Sequence, residues 1–469
     1  MQKQIAKSLF IFRRDLRLND NTALLHALAH SQEVIPCFIF DPRQVGKNSY
    51  KSHRCVEFMI ECLQDLDADL QAQKSKLLCL YGKAEEIVER LLQEEEIDAV
   101  FFNKDYTPFS KERDTAIAQI CETRGCLCLS FDDLLLTPPG SLLNTSSKPY
   151  KVFTPFYKAA LSIPVKTPQK NNFNNYVTSN FSTNIPTVDL KKNVFASNDN
   201  SKNSVQKKWG VGGRKKSKKI LQQLGKLENY EVTRNFPYQN TSYLSAYNKF
   251  GTHSIREILI QAHKVFGPNS TFVKQLYWRD FFTHLIYHFP HVLQSSFQEK
   301  YDAIQWIHSE EKFEKWCQGM TGFPIVDAGM RQLNKTGYMH NRARMITASF
   351  LVKDLHIDWK YGEKYFAQNL VDYDVAVNNG SWQWAASTGA DAQPYFRIFN
   401  PWLQQKKYDP DCIYIKQWIP ELQHISTQRI HTWYRDKHPH IKNYPRPMVD
   451  HAEAARYAKK LFASTKKTT

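Results

Sequence analysis

The sequence predicts two domains, a doubly wound α/β domain with a parallel sheet followed by an all-α domain. Three observations predict this architecture. Short apolar runs alternate with amphipathic stretches over the first 135 residues, the composition turns polar near residue 160, and helical periodicity dominates from about residue 210. Because 469 residues exceed one ordinary domain, we expect an N-terminal domain over 1–135, a linker over 136–208 and a helical domain over 209–469.

Five apolar runs predict the strands of the first domain. Each run has the length of a strand and lies beside a segment with helical spacing, which is typical of a parallel sheet with helical crossovers. The predicted strands cover residues 8–12, 34–40, 76–81, 98–102 and 126–131. Neither GxGxxG nor GxxxxGK[ST] occurs in this region, so the sequence does not indicate a phosphate-binding loop.

A polar stretch separates the predicted domains and carries much of the positive charge. Residues 160–208 are rich in Asn, Ser, Thr, Lys and Pro, as in a linker or a long surface loop. The net charge of +17 favours a polyanionic partner such as nucleic acid or an anionic membrane face. Residues 191–226 alone contain eleven Lys or Arg and one Asp, so net charge does not separate a basic loop from a binding surface.

Cysteine usage and hydropathy limit the environment of the protein. The nine cysteines lack the paired spacing of a zinc site, so we expect reduced, mostly buried thiols and no metal. The N-terminus lacks the apolar run of a secretory signal, and no segment has the ~18 continuous apolar residues that span a bilayer. We therefore expect a cytoplasmic monomer without a membrane partner.

Two helical segments place polar groups beside aromatic or thioether groups. QLYWRDFF puts Gln275, Trp278 and Arg279 on one helix face, where indole and guanidinium planes suit stacking on bases or a heteroaromatic ring. In GYMHNRARMITASFLV, Asn341 and Met345 lie one turn apart and can line a pocket for a flat base. The structural alternatives are a half-buried helix with a cation–π pair and a capped core helix.

The segment VDYDVAVNNGSWQWAAS combines short polar groups with indoles. Asp372, Asp374 and Asn378 can hydrogen-bond ribose, adenine and ring N–H edges. The structural alternative is a turn between two helices. Spacing alone does not bring Trp306, Trp359 and Trp382 together.

Six motifs together resemble the DNA photolyase and cryptochrome family. They are FRRDLRLNDNTAL, KVFTPF, TSYLS, QLYWRDFF, TGFPIVDAGMRQLNKTGYMHNRARMITASFLVKD and NNGSWQWAASTGADAQPYFRIFNP. The chain is most similar to class I cyclobutane pyrimidine dimer photolyases. The resemblance implies a deoxyribodipyrimidine photo-lyase (a carbon–carbon lyase) with an α/β antenna domain and a helical FAD-binding domain. In this reaction, photoexcited FADH⁻ passes an electron to a flipped-out dimer in UV-damaged DNA.

The resemblance also assigns roles to individual residues. It implies FAD contacts for Tyr230, Thr241, Ser242, Tyr243, Leu244, Ser245, Arg344, Asp372, Tyr373 and Asp374. It implies that Asn378 faces flavin N5 and that electrons reach the flavin along Trp306, Trp359 and Trp382. It implies contacts to the lesion and its flanking DNA for Arg234, Gln275, Trp278, Arg279, Asn341, Arg342, Met345, Trp384, Arg397 and Gln404.

Departures from the family pattern leave alternatives open. Gln275 stands where cyclobutane-dimer enzymes usually have Glu and is familiar from (6-4) photolyases and cryptochromes. The (6-4) enzymes have histidines where this chain has Asn341 and Met345, so we prefer cyclobutane dimers, with a (6-4) photolyase or a blue-light cryptochrome receptor as alternatives. Phe109 and Ser110 replace the Asn and Glu of folate-binding members. The second antenna chromophore is then methenyltetrahydrofolate held differently, a deazaflavin, or absent.

Overall fold

The computed structural model describes residues 5–192, 210–435, 441 and 443–465. Contacts divide them into two compact units. The sheet unit comprises residues 5–192, 210–228 and 242–290, and the helical unit comprises residues 229–241 and the described residues from 291 onward. Residues 242–290, which the sequence assigns to the helical domain, thus pack with the sheet. Part of the predicted linker and basic stretch, residues 193–209, lies outside the described residues.

Five parallel strands form the sheet in the order β3-β2-β1-β4-β5. The strands are β1 (Ile5–Phe12), β2 (Ser31–Phe40), β3 (Leu78–Tyr81), β4 (Ala99–Asn103) and β5 (Leu127–Phe131). All five predicted strands are confirmed, as is the doubly wound topology. The inner strands are buried on both faces, which explains why their sequences are continuous apolar runs.

Helices make up most of the remaining structure. Those up to residue 288 are α1 (Thr22–His30), α2 (Pro42–Val45), α3 (His53–Gln71), α4 (Ala84–Glu94), α5 (Pro108–Thr123), α6 (Phe153–Ala160), α7 (Arg214–Gln222), α8 (Tyr230–Thr233), α9 (Ser245–Lys249), α10 (Ile255–Phe266) and α11 (Thr271–His288). The later ones are α12 (Glu310–Gln318), α13 (Pro324–Thr336), α14 (Asn341–Lys353), α15 (Trp359–Asn369), α16 (Val375–Ala386), α17 (Pro401–Tyr408), α18 (Ile413–Trp418), α19 (Thr427–His431) and α20 (His451–Ala463). The predicted all-α character of the C-terminal part is confirmed.

The described part of the predicted linker packs onto the sheet. Tyr176 forms a bridge to Val34 on β2, and Thr187 forms one to Leu80 on β3. Val177 and Ile185 between them are buried in the apolar core of the sheet unit. A few apolar residues therefore anchor a segment whose average composition is that of a solvated loop.

A buried ion-pair network within the sheet unit joins the segments that follow β1 and β5 to helix α10. Asp133 pairs with both Arg17 and Arg256, and Arg256 Nε also reaches Asp20 Oδ2 at 2.8 Å. Burial raises the pKa of Asp133, but the two guanidinium groups outweigh it and hold that pKa well below its usual value. We call this set the Asp133 network; its two carboxylates match its two cations.

The thiols and the helices have the properties that the sequence predicted for the cysteines and for the apolar segments. All nine cysteines are free thiols, and six of them are buried. Within the described ranges, every helix is too short or too polar to cross a membrane.

Candidate functional site

The candidate site of the helical unit includes the N-terminal end of α14. His340 caps this helix, because its Nδ1 accepts a hydrogen bond from the backbone N–H of Arg342 at 3.1 Å. Burial, together with the charges of Arg344 and Arg342, lowers the pKa of His340 to about 3. The imidazole is therefore neutral near pH 7.

An ion pair with Asp372, which lies between α15 and α16, positions the guanidinium group of Arg344 on α14. Arg344 Nη2 lies 3.1 and 2.9 Å from the two oxygens of Asp372, and Arg344 Nε donates to Met339 O at 2.8 Å. Burial lowers the pKa of Arg344, but the Asp372 carboxylate overcomes this and raises it. The pair holds both side chains in one geometry, because charge-assisted hydrogen bonds are short and directional.

Two polar residues follow at the start of α16. Asp374 caps this helix by accepting from the backbone N–H of Val377 at 3.1 Å. Asn378 is 7% exposed, and its Nδ2 donates to Glu363 O at 3.0 Å. This bond fixes the amide orientation, and no residue of the described chain hydrogen-bonds its Oδ1.

Two arginines, Arg342 on α14 and Arg234 after α8, lack a carboxylate partner among the described residues. Arg342 Nη2 donates to Asn235 Oδ1 at 2.7 Å, and its guanidinium lies 4.2 Å from the ring centroid of Tyr408. Burial lowers the pKa of Arg342, and the nearby charge of Arg234 lowers it further. No carboxylate of the described residues pairs with Arg234 or Arg342, so this guanidinium pair can accept an anion.

The remaining predicted DNA contacts of the helical unit lie at or near its surface. Asn341 is exposed and its Nδ2 lies 3.6 Å from the sulfur of Met345, so the structure brings this predicted pair together. Arg397 is exposed, whereas Trp384 and Gln404 are half-buried.

The predicted contacts on α11 belong to the sheet unit and differ in exposure. Gln275 is exposed, and the half-buried Trp278 stacks on Phe153 with ring centroids 3.8 Å apart and an angle of 9°. One face of this indole is therefore covered by the protein. Arg279 is 9% exposed and donates to Leu134 O at 2.8 Å, which favours a structural role over the predicted DNA contact.

The three predicted electron-transfer tryptophans lie in one hydrophobic cluster of the helical unit. Trp359 and Trp382 are buried in it, and the partly buried Trp306 packs against it through Phe462 at a centroid distance of 5.8 Å. A Cβ atom on Gly362 would lie 2.2 Å from Trp382 Cη2, so this glycine allows α15 to pack directly on the indole. The Nε1 atom of Trp382 is buried and has no hydrogen-bond partner among the described residues.

Comparisons with known proteins decide the family. A model described as DNA photolyase matches residues 8–171, and one described as FAD binding domain of DNA photolyase matches residues 272–464. A protein of Alkalihalophilus pseudofirmus named deoxyribodipyrimidine photo-lyase is 37% identical, with 96% of each chain covered. This chain belongs to the DNA photolyase family.

Two solved photolyase structures are similar over nearly the whole chain. An archaeal photolyase from Sulfolobus tokodaii, described with two FAD molecules, has a TM-score of 0.87 at 41% identity and covers 98% of this chain and 100% of its own. A class III photolyase from Agrobacterium tumefaciens has a TM-score of 0.91 at 34% identity and covers 100% and 99%. The family and the fold are thus shown.

The polar residues of the helical unit that the resemblance assigns to FAD have side chains that suit this cofactor. The FAD-binding domain includes the Arg344–Asp372 pair, Asp374 and Asn378, a set of donors and acceptors that suits the edges of a flavin and a ribose. Tyr230 is buried near the start of this unit, and Thr241 Oγ1 lies 3.2 Å from Tyr338 Oη. The predicted contact Tyr373 is half-buried.

The rest of the predicted FAD loop belongs to the sheet unit. Its tight turn is formed by Ser242, whose Oγ accepts from the backbone N–H of Leu244 at 3.4 Å, and by Tyr243, which has a φ of 54°. Leu244 is buried and Ser245 is exposed.

A further polar cluster lies where β1 and β4 end. After β1 the chain continues to β2 on one side, and after β4 it continues to β5 on the other side; doubly wound folds bind ligands at such a switch point. Arg13 and Arg113 share the single carboxylate of Asp114, with Nη–Oδ1 distances of 2.7 and 2.9 Å. Burial and the charge of Arg113 lower the pKa of Arg13 to about 10 although Asp114 opposes them. Phe109 lies 5.8 Å from the Arg113 guanidinium.

Sequence reasoning missed several partners that define these sites. Asn235 and Tyr408 contact Arg342 but lie far from it in sequence. Phe153, which stacks on Trp278, lies in the KVFTPF motif, but that motif did not predict the contact. Trp316 is fully buried with its ring centroid 6.2 Å from that of Trp382, and only its residue type could have marked it.

Proposed function

We propose that this chain repairs cyclobutane pyrimidine dimers in DNA in a light-dependent reaction, as a deoxyribodipyrimidine photo-lyase that uses FAD. The observation that carries the proposal is the first turn of α14. There Asn341 and Met345 form an uncharged pair at the surface, while Arg344 of the same turn is held by Asp372 inside the FAD-binding domain. One helix thus presents groups to a base and to a flavin.

Bound FAD would supply an electron donor that is excited by blue or near-UV light. The Arg344–Asp372 pair and Asp374 bind and orient its polar edges. Asn378 offers Oδ1, which its bond to Glu363 O fixes in place. Asn341 donates its amide to a carbonyl of the extruded dimer, and Met345 and Trp384 supply apolar and stacking contacts.

The chemistry of Asn341 and Met345 supports cyclobutane dimers as the lesion. Neither side chain can transfer a proton near pH 7. The adjacent His340 is neutral with a pKa of about 3, and its Nδ1 is occupied as the helix cap. The site therefore suits a reaction that splits the dimer by electron transfer without an acid catalyst.

Arg234 and Arg342 form the proposed phosphate clamp. Two guanidinium groups without a carboxylate suit a DNA phosphate, which they can bind through charge-assisted hydrogen bonds. Arg397 and Gln404 add contacts farther along the strand.

Trp382, Trp359 and Trp306 form the proposed route by which electrons reach the flavin. Indole rings are readily oxidised, and the three lie in or against one cluster. Exchanging Trp382 for Phe should slow photoreduction of oxidised flavin and leave repair by pre-reduced protein unchanged. Equal photoreduction rates in parent and variant would remove Trp382 from the route.

The cluster of Arg13, Arg113 and Phe109 is the proposed second-chromophore site. Its two guanidinium groups, each with a buried Nη2 atom that has no hydrogen-bond partner among the described residues, and its aromatic ring suit a flat anionic molecule such as a flavin or deazaflavin. The Sulfolobus relative with two FAD molecules supports this choice. Extracting the purified protein and separating the chromophores would show one flavin-type molecule beyond the first; only one FAD per chain contradicts it.

The class I assignment and the monomeric state are also part of the proposal. The class I assignment rests on the overall resemblance of the sequence motifs, and light scattering of the purified protein tests the monomeric state.

One experiment tests the main proposal. Pre-reduced protein is incubated with duplexes that carry either a defined cyclobutane dimer or a (6-4) product, in blue light and in darkness. We expect light-dependent loss of the cyclobutane dimer alone. Repair of the (6-4) product would transfer the chain to that class, and repair of neither would indicate a receptor.

A further inference from the structure

Helix α7 carries several positive charges that form no ion pair with the described residues of the chain. The sequence RKKSKKILQ begins directly after Gly213, and the helix is firmly anchored in the sheet unit. Gly212 N donates to Glu61 Oε2 at 2.7 Å, and Arg214 pairs with Glu257 at 2.7 Å. Ser217 is fully buried and accepts from Thr252 Oγ1 at 3.1 Å. The backbone of the helix is therefore fixed against its neighbours.

The opposite side of α7 is cationic. Lys215, Lys216, Lys218 and Lys219 are all exposed. Lys215 Nζ lies 3.3 and 3.4 Å from carboxylate oxygens of Asp65 and Asp69 on α3. The other three lysines, which we call the α7 lysines, form no ion pair with any described residue.

These charges oppose helix formation. Lys216 lies in the first turn, where the helix dipole disfavours cations, and Lys216 and Lys219 repel each other one turn apart. Two other helices of the sheet unit show the favourable pattern, since α4 has Glu85 and Glu86 in its first turn and α10 has Glu257. A charge that weakens its own helix and forms no ion pair with the described residues is best explained by a partner.

We propose that Lys216, Lys218 and Lys219 form an auxiliary surface for the phosphates of undamaged duplex DNA. The partner's chemistry follows from charge complementarity, and the choice of DNA rests on the proposed function. The surface raises nonspecific affinity and so the time that the protein spends on DNA between lesions. The auxiliary surface does not contact the extruded pyrimidine dimer.

The test compares two variants that lose the same charge. One carries K216Q, K218Q and K219Q, and the control carries K47Q, K335Q and K364Q, which are exposed and scattered over the molecule. Binding to an undamaged duplex is measured by fluorescence anisotropy at several salt concentrations. We expect the slope of log K against log salt to fall by about 0.9 for each lost phosphate contact in the α7 variant. Affinity at low salt should fall roughly tenfold, and the control should change little.

Thermal unfolding of the same variants separates binding from structure. Removing repulsion should leave the α7 variant at least as heat-stable as the parent, whereas loss of a structural role would lower its Tm. Equal slopes in the α7 variant and the control would overturn the proposal, because net charge alone would then explain the effect. So would an unchanged duplex slope with lost binding to vesicles of anionic phospholipid.

The light-dependent repair assay keeps this result distinct from the main proposal. At saturating lesion DNA, the α7 variant should repair at the parent rate. A reduced salt slope in a protein that repairs no lesion would uphold the α7 surface and reject the repair function. Normal repair with an unchanged salt slope would uphold the repair function and reject the α7 surface.

Discussion

The Asp133 network of the sheet unit and the Arg234–Arg342 pair of the helical unit both contain two guanidinium groups, but only the first contains carboxylates. In the network, Arg17 and Arg256 are matched by Asp133 and Asp20 and are withdrawn from water. Arg342 has an amide and a phenol ring as neighbours instead. The difference teaches that paired charges stabilise the fold, whereas charges without a counter-ion are available to bind a ligand.

The largest expected effect comes from breaking the matched network. The substitution Asp133→Ala leaves Arg17 and Arg256 buried without their shared carboxylate and should lower the free energy of unfolding by about 3–5 kcal/mol. Urea unfolding measures this. Asp411→Ala is the control, because the Asp411 carboxylate is exposed and forms no ion pair with any described residue. Equal losses in the two variants would contradict the interpretation.

A matched pair inside the FAD-binding domain gives the next effect. Asp372→Asn keeps the shape of the side chain but removes the charge that holds Arg344, and it should weaken FAD binding by about 2 kcal/mol, roughly 30-fold. Titrating the apoprotein and following flavin fluorescence measures the affinity. Unchanged FAD affinity would show that the pair serves the fold alone.

Removing a charge from the unmatched pair should affect binding and spare stability. Arg342→Gln should weaken binding to damaged duplex about tenfold and reduce the salt slope by about 0.9. Its free energy of unfolding should stay the same or rise, because repulsion with Arg234 disappears. Arg331→Gln breaks a matched pair with Glu421 and should show the opposite pattern. Loss of stability in Arg342→Gln would break the comparison.

The smallest effect concerns His340 and pH. Its folded pKa is about 3 and its unfolded pKa is ~6.5, so the unfolded chain binds the proton between these values. The stability contributed by the neutral ring is complete above pH 6.5 and should fall by about 1 kcal/mol by pH 5.5. His340→Asn, which keeps a capping side chain, should remove this part of the pH dependence; an unchanged profile would assign the depressed pKa no role in stability.

Local periodicity predicted the fold well, because it records burial on each strand and helix. The five apolar runs correspond to β1–β5 within a few residues. The packing of residues 242–290 with the sheet depends on contacts such as Asp280 Oδ2 with Thr137 N at 2.8 Å, which join segments far apart in sequence. Average composition likewise concealed the anchoring of Tyr176 and Thr187.

The candidate site was predictable where residues one turn apart share a helix. Asn341 and Met345 meet as predicted, and the Arg344–Asp372 pair joins two predicted residues. The burial of Arg279 was not predictable, because helical spacing places it beside Trp278 but does not show that Leu134 O lies within reach. The absence of a carboxylate near Arg234 and Arg342 is also a property of the folded chain.

Gly362 has a practical consequence for engineering. Replacing a mid-helix glycine by alanine is a routine way to stabilise a protein, worth about 0.5–1 kcal/mol when the site tolerates a methyl group. On α15 that methyl group would overlap the ring of Trp382 and force the indole or the helix to shift. A consensus or library design that treats position 362 as a free helix site would therefore disturb the packing of a buried indole while aiming only at heat tolerance.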